Sequence, residues 1–121
     1  MKLRLKVALA GAVVVAAVLA MGSTASGKGR TATVDVDDDF FAPTALTVKE
    51  DTKVKWNWVG DSVHDVTRVS GPGKFFESGP QQGSGVLYSK TFRKSGEYEI
   101  FCSLHPENMR MELKVKRRNR N

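Results

Sequence analysis

From residue 31 onwards, apolar and polar side chains alternate in short runs, and this period of two constrains the fold more than any other feature. Residues 31–36 read TATVDV and residues 53–58 read KVKWNW. Such alternation indicates β-strands with one buried face. Further strands are predicted at residues 46–48, 63–69, 86–92, 97–102 and 109–116.

Turn-forming residues separate these strands, and no helical period extends over eleven residues after residue 30. Gly71-Pro72-Gly73 and Lys94-Ser95-Gly96 are examples of such turns. About seven short strands in fewer than 100 residues are typical of a sandwich. The sequence therefore predicts an all-β fold, an antiparallel Greek-key β-sandwich.

The N-terminus has the layout of an export signal. Lys2, Arg4 and Lys6 precede an uncharged apolar stretch from residue 7 to 20, and small residues end at Ala25. The stretch is short for a membrane span, which needs about 20 residues. We therefore predict a cleaved signal peptide over residues 1–25, with a retained membrane anchor as the alternative. The mature protein would reach a bacterial or archaeal periplasm, the cell surface or the medium.

The remaining chain has room for one domain. We predict a linker over residues 26–30, a domain over 31–116 and a basic tail over 117–121. An exported chain without a recognisable nucleic-acid motif is not expected to bind nucleic acid. We expect a monomer that contacts a membrane only if the N-terminal segment is retained. The tail is either a solvated end or a patch that steers an acidic partner.

One segment near the C-terminus concentrates the chemistry of the chain. Cys102, the sole cysteine, is followed by His105 and Met109, and the only other histidine is His64. Thiolate, imidazole and thioether together suit copper better than zinc, calcium or magnesium. A lone thiol in an exported protein is either buried and inert, joined to another chain, or protected by a metal.

Each of these residues also has a structural interpretation. An isolated cysteine is often a small buried hydrophobe. Met109 opens an alternating series with Met111, Leu113 and Val115, which is typical of a core strand. Alternation places both methionines on the same face, so it does not distinguish them as ligands.

Three motifs together resemble the cupredoxins, the small blue-copper proteins that include plastocyanin, amicyanin, pseudoazurin and halocyanin. The segment from Phe41 to Trp56 is similar to the family's approach to its first histidine ligand, and His64-Asp-Val66 is similar to that histidine and its strand. The segment from Ser89 to Pro106 is similar to the hairpin that carries the cysteine and the second histidine.

The resemblance implies one mononuclear type 1 copper per chain. It assigns His64, Cys102 and His105 as equatorial ligands and Met109 as the weak axial ligand, with Met111 as a rival. Asp65 departs from the family, because many relatives carry asparagine or another neutral residue there. The sign of its effect on the site does not follow from the sequence.

The resemblance further implies an electron carrier that shuttles single electrons between a redox donor and an acceptor, and not an enzyme. Copper sequestration or delivery on the same fold is the alternative. A nucleophilic Cys102 with His105 as base lacks an orienting third group. A multicopper oxidase is disfavoured, because its additional copper centres need more than two histidines.

Overall fold

A computed structural model describes residues 30–120, which form eight β-strands and no helix. The all-β prediction is confirmed. The predicted signal peptide and all but the last residue of the predicted linker lie outside the described residues. The strands are β1 (Thr31–Asp37), β2 (Phe40–Ala42), β3 (Ala45–Lys49), β4 (Thr52–Trp58), β5 (Thr67–Ser70), β6 (Gly85–Phe92), β7 (Gly96–Phe101) and β8 (Arg110–Lys116).

The strands form two four-stranded sheets that pack as a sandwich. One sheet has the order β2-β1-β4-β6 and the other β3-β8-β7-β5. Of the consecutive strands, β1 and β2 are neighbours in one sheet and β7 and β8 in the other, while every other connection crosses between the sheets. This interleaving confirms the predicted Greek-key type of sandwich.

Each sheet contains one parallel pair beside its antiparallel pairs, so both sheets of the sandwich are mixed. Strand β1 runs parallel to β4, and β3 runs parallel to β8. Parallel neighbours need a long crossover, which the intervening strands provide here. Alternation reports which face of a strand is buried and carries no information about the direction of its neighbour.

The predicted strand over residues 63–69 begins late, and His64 lies in the loop before β5. Four consecutive residues from His64 to Thr67 are buried, which a strand with one buried face does not allow. His64 instead forms an isolated bridge with Gln81. The loop between β5 and β6 is thereby attached to the loop that carries His64.

The core lies between the sheets and is built from alternate residues of the strands. On β4, Val54, Trp56 and Trp58 are buried and alternate with more exposed residues. On β7, Tyr98 and Ile100 point inward, and the rings of Tyr98 and Phe92 pack with their centroids 5.0 Å apart.

Residues 30–120 include no helix long and apolar enough to cross a membrane.

Candidate metal centre

The structure brings together the side chains of His64, Cys102 and His105 at one end of the sandwich. Cys102 directly follows β7, His105 lies in the loop between β7 and β8, and His64 lies between β4 and β5. The Sγ atom lies 4.0 Å from Nδ1 of His64 and 3.6 Å from Nδ1 of His105. One donor atom from each residue lies within 4.8 Å of the others.

These separations and this donor set fit a metal ion. Metal–sulfur and metal–imidazole bonds of about 2.3 and 2.0 Å in a trigonal arrangement place the donor atoms roughly 3.7 Å apart. Thiolate and imidazole suit copper, zinc or iron, and a cysteine with two histidines is the equatorial set of blue-copper sites. His64 and Cys102 have no exposed surface, whereas the side chain of His105 is 33% exposed.

Backbone hydrogen bonds hold the loop from Cys102 to Met109 in shape. The N–H of His105 donates to the carbonyl of Cys102 at 3.0 Å, and the N–H of Met109 donates to the carbonyl of His105 at 3.0 Å. The N–H of Cys102 donates to the carbonyl of Met109 at 2.9 Å, which continues the ladder between β7 and β8. The backbone therefore fixes the spacing of cysteine, histidine and methionine.

The register of β7 and β8 distinguishes the two methionines. Both are buried. Met109 lies opposite Cys102, while Met111 pairs with Ile100, one same-face position further along the hairpin. Opposite side chains in an antiparallel pair have Cβ atoms about 4.5–5.5 Å apart, whereas diagonal neighbours are roughly 7–8 Å apart. Met109 is accordingly the methionine nearer to the thiol.

His64 is held from two sides. Its backbone N–H and carbonyl exchange hydrogen bonds with Gln81 at 3.0 and 2.9 Å. Its ring Nε2 lies 2.9 Å from Oδ1 of Asp38. Because a carboxylate accepts, Nε2 carries the proton of the neutral ring and Nδ1 keeps its lone pair toward Cys102.

Asp38 is itself fixed by the backbone of the His64 loop. It accepts hydrogen bonds from the N–H groups of Asp61 and Ser62. The hydrogen bond with His64, together with these two N–H groups, holds the pKa of the Asp38 carboxyl well below its usual range. The turn between β1 and β2 thereby presents an anion to the outer side of His64.

Asp38 and Gln81 are contributors to the site that the sequence interpretation missed. Asp38 lies in a run of three aspartates, and nothing in the run indicates which one faces inward. Gln81 acts through its backbone, so its side-chain type gives no signal. The glycine at position 60 is the one sequence signal of this contact, since a Cβ there would lie 2.4 Å from Oδ1 of Asp38.

The thiol receives one backbone hydrogen bond, from the N–H of Asp65 to Sγ at 3.3 Å. An N–H aimed at the sulfur stabilises negative charge on it. The sulfur is thereby set up to act as a thiolate ligand.

Comparisons with known proteins agree with this geometry. The family model for copper-binding proteins of the plastocyanin/azurin family matches residues 28–116. No curated protein matches the sequence. An amicyanin variant in the reduced Cu(I) form at pH 4 is 26% identical, covers 77% of this chain and 86% of its own, and has a TM-score of 0.62.

Two further solved structures extend the comparison. An oxidised amicyanin variant is 26% identical over 76% of this chain and 85% of its own, with a TM-score of 0.62. A purple cupredoxin from Nitrosopumilus maritimus is 23% identical over 70% of this chain and 99% of its own, with a TM-score of 0.60, and shares the fold.

Two observations lead to one conclusion. The family model matches nearly all of the described chain, and the donor atoms of three potential ligands lie close together. His64, Cys102 and His105 are arranged as a type 1 copper site, and copper is the cofactor. The chain belongs to the plastocyanin/azurin family of copper-binding proteins.

Proposed function

We propose that this protein is an exported electron carrier in which His64, Cys102 and His105 are the equatorial ligands of one copper ion and Met109 is its axial ligand. When bound, copper supplies a one-electron couple between Cu(II) and Cu(I). The observation that carries the proposal is the cluster of donor atoms within 4.8 Å, held by backbone hydrogen bonds and the carboxylate of Asp38.

A fixed mixture of ligands favours electron transfer over chemistry on a substrate. Thiolate and thioether suit Cu(I), and imidazole suits Cu(II), so a rigid site with both kinds accommodates either state with little rearrangement. Amicyanin variants of similar fold have been solved in both reduced and oxidised forms. Four protein ligands leave no evident position for a substrate, which supports a carrier over an enzyme.

The partly exposed ring of His105 is the proposed route for the electron. His64 and Cys102 are sealed from water, so the site reaches solvent through the edge of His105. Leu104 and Val63, next to the two histidines in sequence, are 48% and 37% exposed. A donor or acceptor protein that packs on these apolar side chains excludes water along the route.

An absorption spectrum of the Cu(II)-loaded protein tests the assignment. We expect an intense visible thiolate-to-copper charge-transfer band in the wild type and its loss in Cys102→Ser. Absence of the band in the wild type, or its survival in Cys102→Ser, contradicts the proposed site.

Electron exchange and copper exchange, measured on one sample, separate a carrier from a copper-delivery protein. We expect fast electron exchange with small redox reagents and slow release of copper to a chelator. Rapid release together with slow electron exchange contradicts the carrier function.

Export is proposed from residues 1–25 alone. A positive start, an apolar stretch and small residues ending at Ala25 are the features that a signal peptidase recognises. We expect the mature protein recovered from the producing cell to begin at Ser26. A mature N-terminus at Met1 contradicts cleavage.

A further inference from the structure

Asp65 places a carboxylate beside the copper site where it is almost sealed from water. The residue is 3% exposed, follows His64 in the chain, and donates its backbone N–H to Sγ of Cys102. A buried carboxylate is costly unless hydrogen bonds or an opposite charge compensate it. The groups around this side chain therefore determine how its charge is compensated.

Three donors surround the carboxylate. Oδ1 accepts the backbone N–H of Ser103 at 2.7 Å and the hydroxyl of Thr67 at 3.0 Å, and Oδ2 accepts the hydroxyl of Ser103. Such a set of donors suits the ionised form. Because Ser103 follows Cys102, its two hydrogen bonds also tie the loop that carries His64 to the loop that carries the thiol.

Among residues 30–120, no lysine or arginine forms an ion pair with Asp65. The loops at this end of the described chain, residues 38–39, 59–66, 78–84 and 102–109, contain no lysine or arginine. Copper(II) and a thiolate together carry one positive charge, whereas copper(I) and a thiolate carry none. By Coulomb's law a nearby carboxylate therefore stabilises the oxidised state more than the reduced state.

We infer that Asp65 is a potential-setting residue, whose buried charge clamps the two ligand loops together and lowers the Cu(II)/Cu(I) reduction potential relative to a neutral side chain. The inference rests on the proposed function, because it requires copper between His64, Cys102 and His105. Asp65 acts through the copper site without being one of its ligands.

Asp65→Asn tests the charge with a nearly isosteric amide. Voltammetry at one pH and ionic strength is expected to give a higher potential than the wild type, with the visible band retained. In chelator competitions, the affinity for Cu(II) should fall by a larger factor than the affinity for Cu(I). Asp61→Asn is the matched control, because it removes an exposed carboxylate from the same loop, where solvent screens the charge.

Ser103→Ala separates the clamp from the charge. It removes a donor to Oδ2 and keeps the carboxylate, so the potential is expected to stay at or below that of the wild type. The urea midpoint of the copper-free protein should fall, because the two loops lose a hydrogen bond. This variant also decides the question if Asp65→Asn does not fold.

Two results would overturn the inference. One is a potential of Asp65→Asn that is no higher than that of Asp61→Asn, and the other is a potential of Ser103→Ala that rises above the wild type. A wild-type protein without the charge-transfer band would instead refute the proposed function, and that result is seen before any potential is measured.

Discussion

Asp38 decides which nitrogen of His64 is free to bind copper. Its carboxylate holds the proton of the ring on Nε2, 2.9 Å away, and leaves the lone pair of Nδ1 directed toward Cys102. A carboxylate behind a ligating imidazole also raises the basicity of the ring and fixes its orientation. Asp38, which is not itself a ligand, thus sets the tautomer, basicity and orientation of the His64 ring.

Asp38→Asn is expected to weaken copper binding by roughly 10–100-fold, the usual loss when a partner of a ligating histidine is removed. Competition titration against a chelator measures the change. Asp39→Asn is the control, since Asp39 is an exposed neighbour 3.9 Å from Nε2 of His105. Equal losses in the two variants would show that general charge, and not the hydrogen bond to His64, is responsible.

Met109→Leu and Met111→Leu distinguish the rival axial ligands. If Met109 is axial, leucine there replaces a lone-pair donor with an apolar side chain, which destabilises the more highly charged Cu(II) more than Cu(I), and the reduction potential rises. Met111→Leu conserves volume in the core and is expected to leave the potential and the spectrum close to those of the wild type. Voltammetry on both variants checks the assignment, and a larger shift for Met111→Leu reverses it.

At the scale of elements, two turns meet behind His64. The turn between β1 and β2 carries Asp38, and the start of the β4–β5 loop passes it closely enough that a Cβ on Gly60 would lie 2.4 Å from Oδ1 and 2.7 Å from N of Asp38. The absence of a side chain at Gly60 is what lets the two turns approach.

Gly60→Ala is therefore expected to lower the free energy of unfolding by about 1–3 kcal/mol, as overpacked sites do, and to weaken copper binding in the same direction as Asp38→Asn. Urea unfolding of the copper-free protein measures the first effect. Ser62→Ala is the control, because only its backbone N–H contacts Asp38. A Gly60→Ala protein as stable as Ser62→Ala would mean that the turns separate without cost.

The segment after β8 packs back on the turn between β3 and β4. Arg118 lies 3.1 Å from Asp51 and Arg120 lies 2.7 Å from Glu50. The half-buried pair of Arg118 with Asp51 contributes about 0–1 kcal/mol. Glu50 is 6% exposed and accepts hydrogen bonds from the backbone N–H of Arg118 and the guanidinium of Arg120, so removal of residues 117–121 also leaves a buried carboxylate without these donors. The free energy of unfolding is therefore expected to fall by roughly 1–4 kcal/mol. Urea unfolding checks this, and a larger loss would show that the tail belongs to the folded core.

At the scale of the whole molecule, the charges are separated along the sandwich. The loops around the copper site, residues 38–39, 59–66, 78–84 and 102–109, carry five carboxylates and no lysine or arginine, while residues 30–120 as a whole carry fifteen lysines and arginines and thirteen carboxylates. The tail and the β3–β4 turn lie at the opposite end of β4, seven residues or about 20 Å away. A steering role for the tail at the copper end is disfavoured by this distance, which exceeds the Debye length of about 8 Å at physiological salt.

The local charge, and not the net charge, is expected to set the salt dependence of electron transfer. Stopped-flow rates with a cationic cobalt complex should fall as salt increases, and rates with hexacyanoferrate should rise. Replacing Asp39 and Asp61 with asparagine should flatten both trends, and removing the tail should change neither. A rate with the cationic reagent that rises with salt would show that the net positive charge dominates.

Much of the copper site could be read from the sequence because its chemistry lies in residue types and a local spacing. Cys102, His105 and Met109 share one loop, and its backbone hydrogen bonds connect residues three to seven positions apart. The buried face of each strand followed from alternation in the same way. Local patterns of this kind survive in a sequence without knowledge of the fold.

Contacts between distant segments could not be read in this way. The parallel pairing of β1 with β4, the choice of Asp38 from three aspartates, and the bonds from Thr67 and Ser103 to Asp65 join residues that no periodicity relates. The amino-acid pattern was enough to predict an all-β chain with a cysteine, a histidine and a methionine suited to copper. The orientation of His64, the methionine opposite the thiol and the contacts of Asp65 follow from the folded arrangement alone, because the pairing of strands and the packing of loops set these distances.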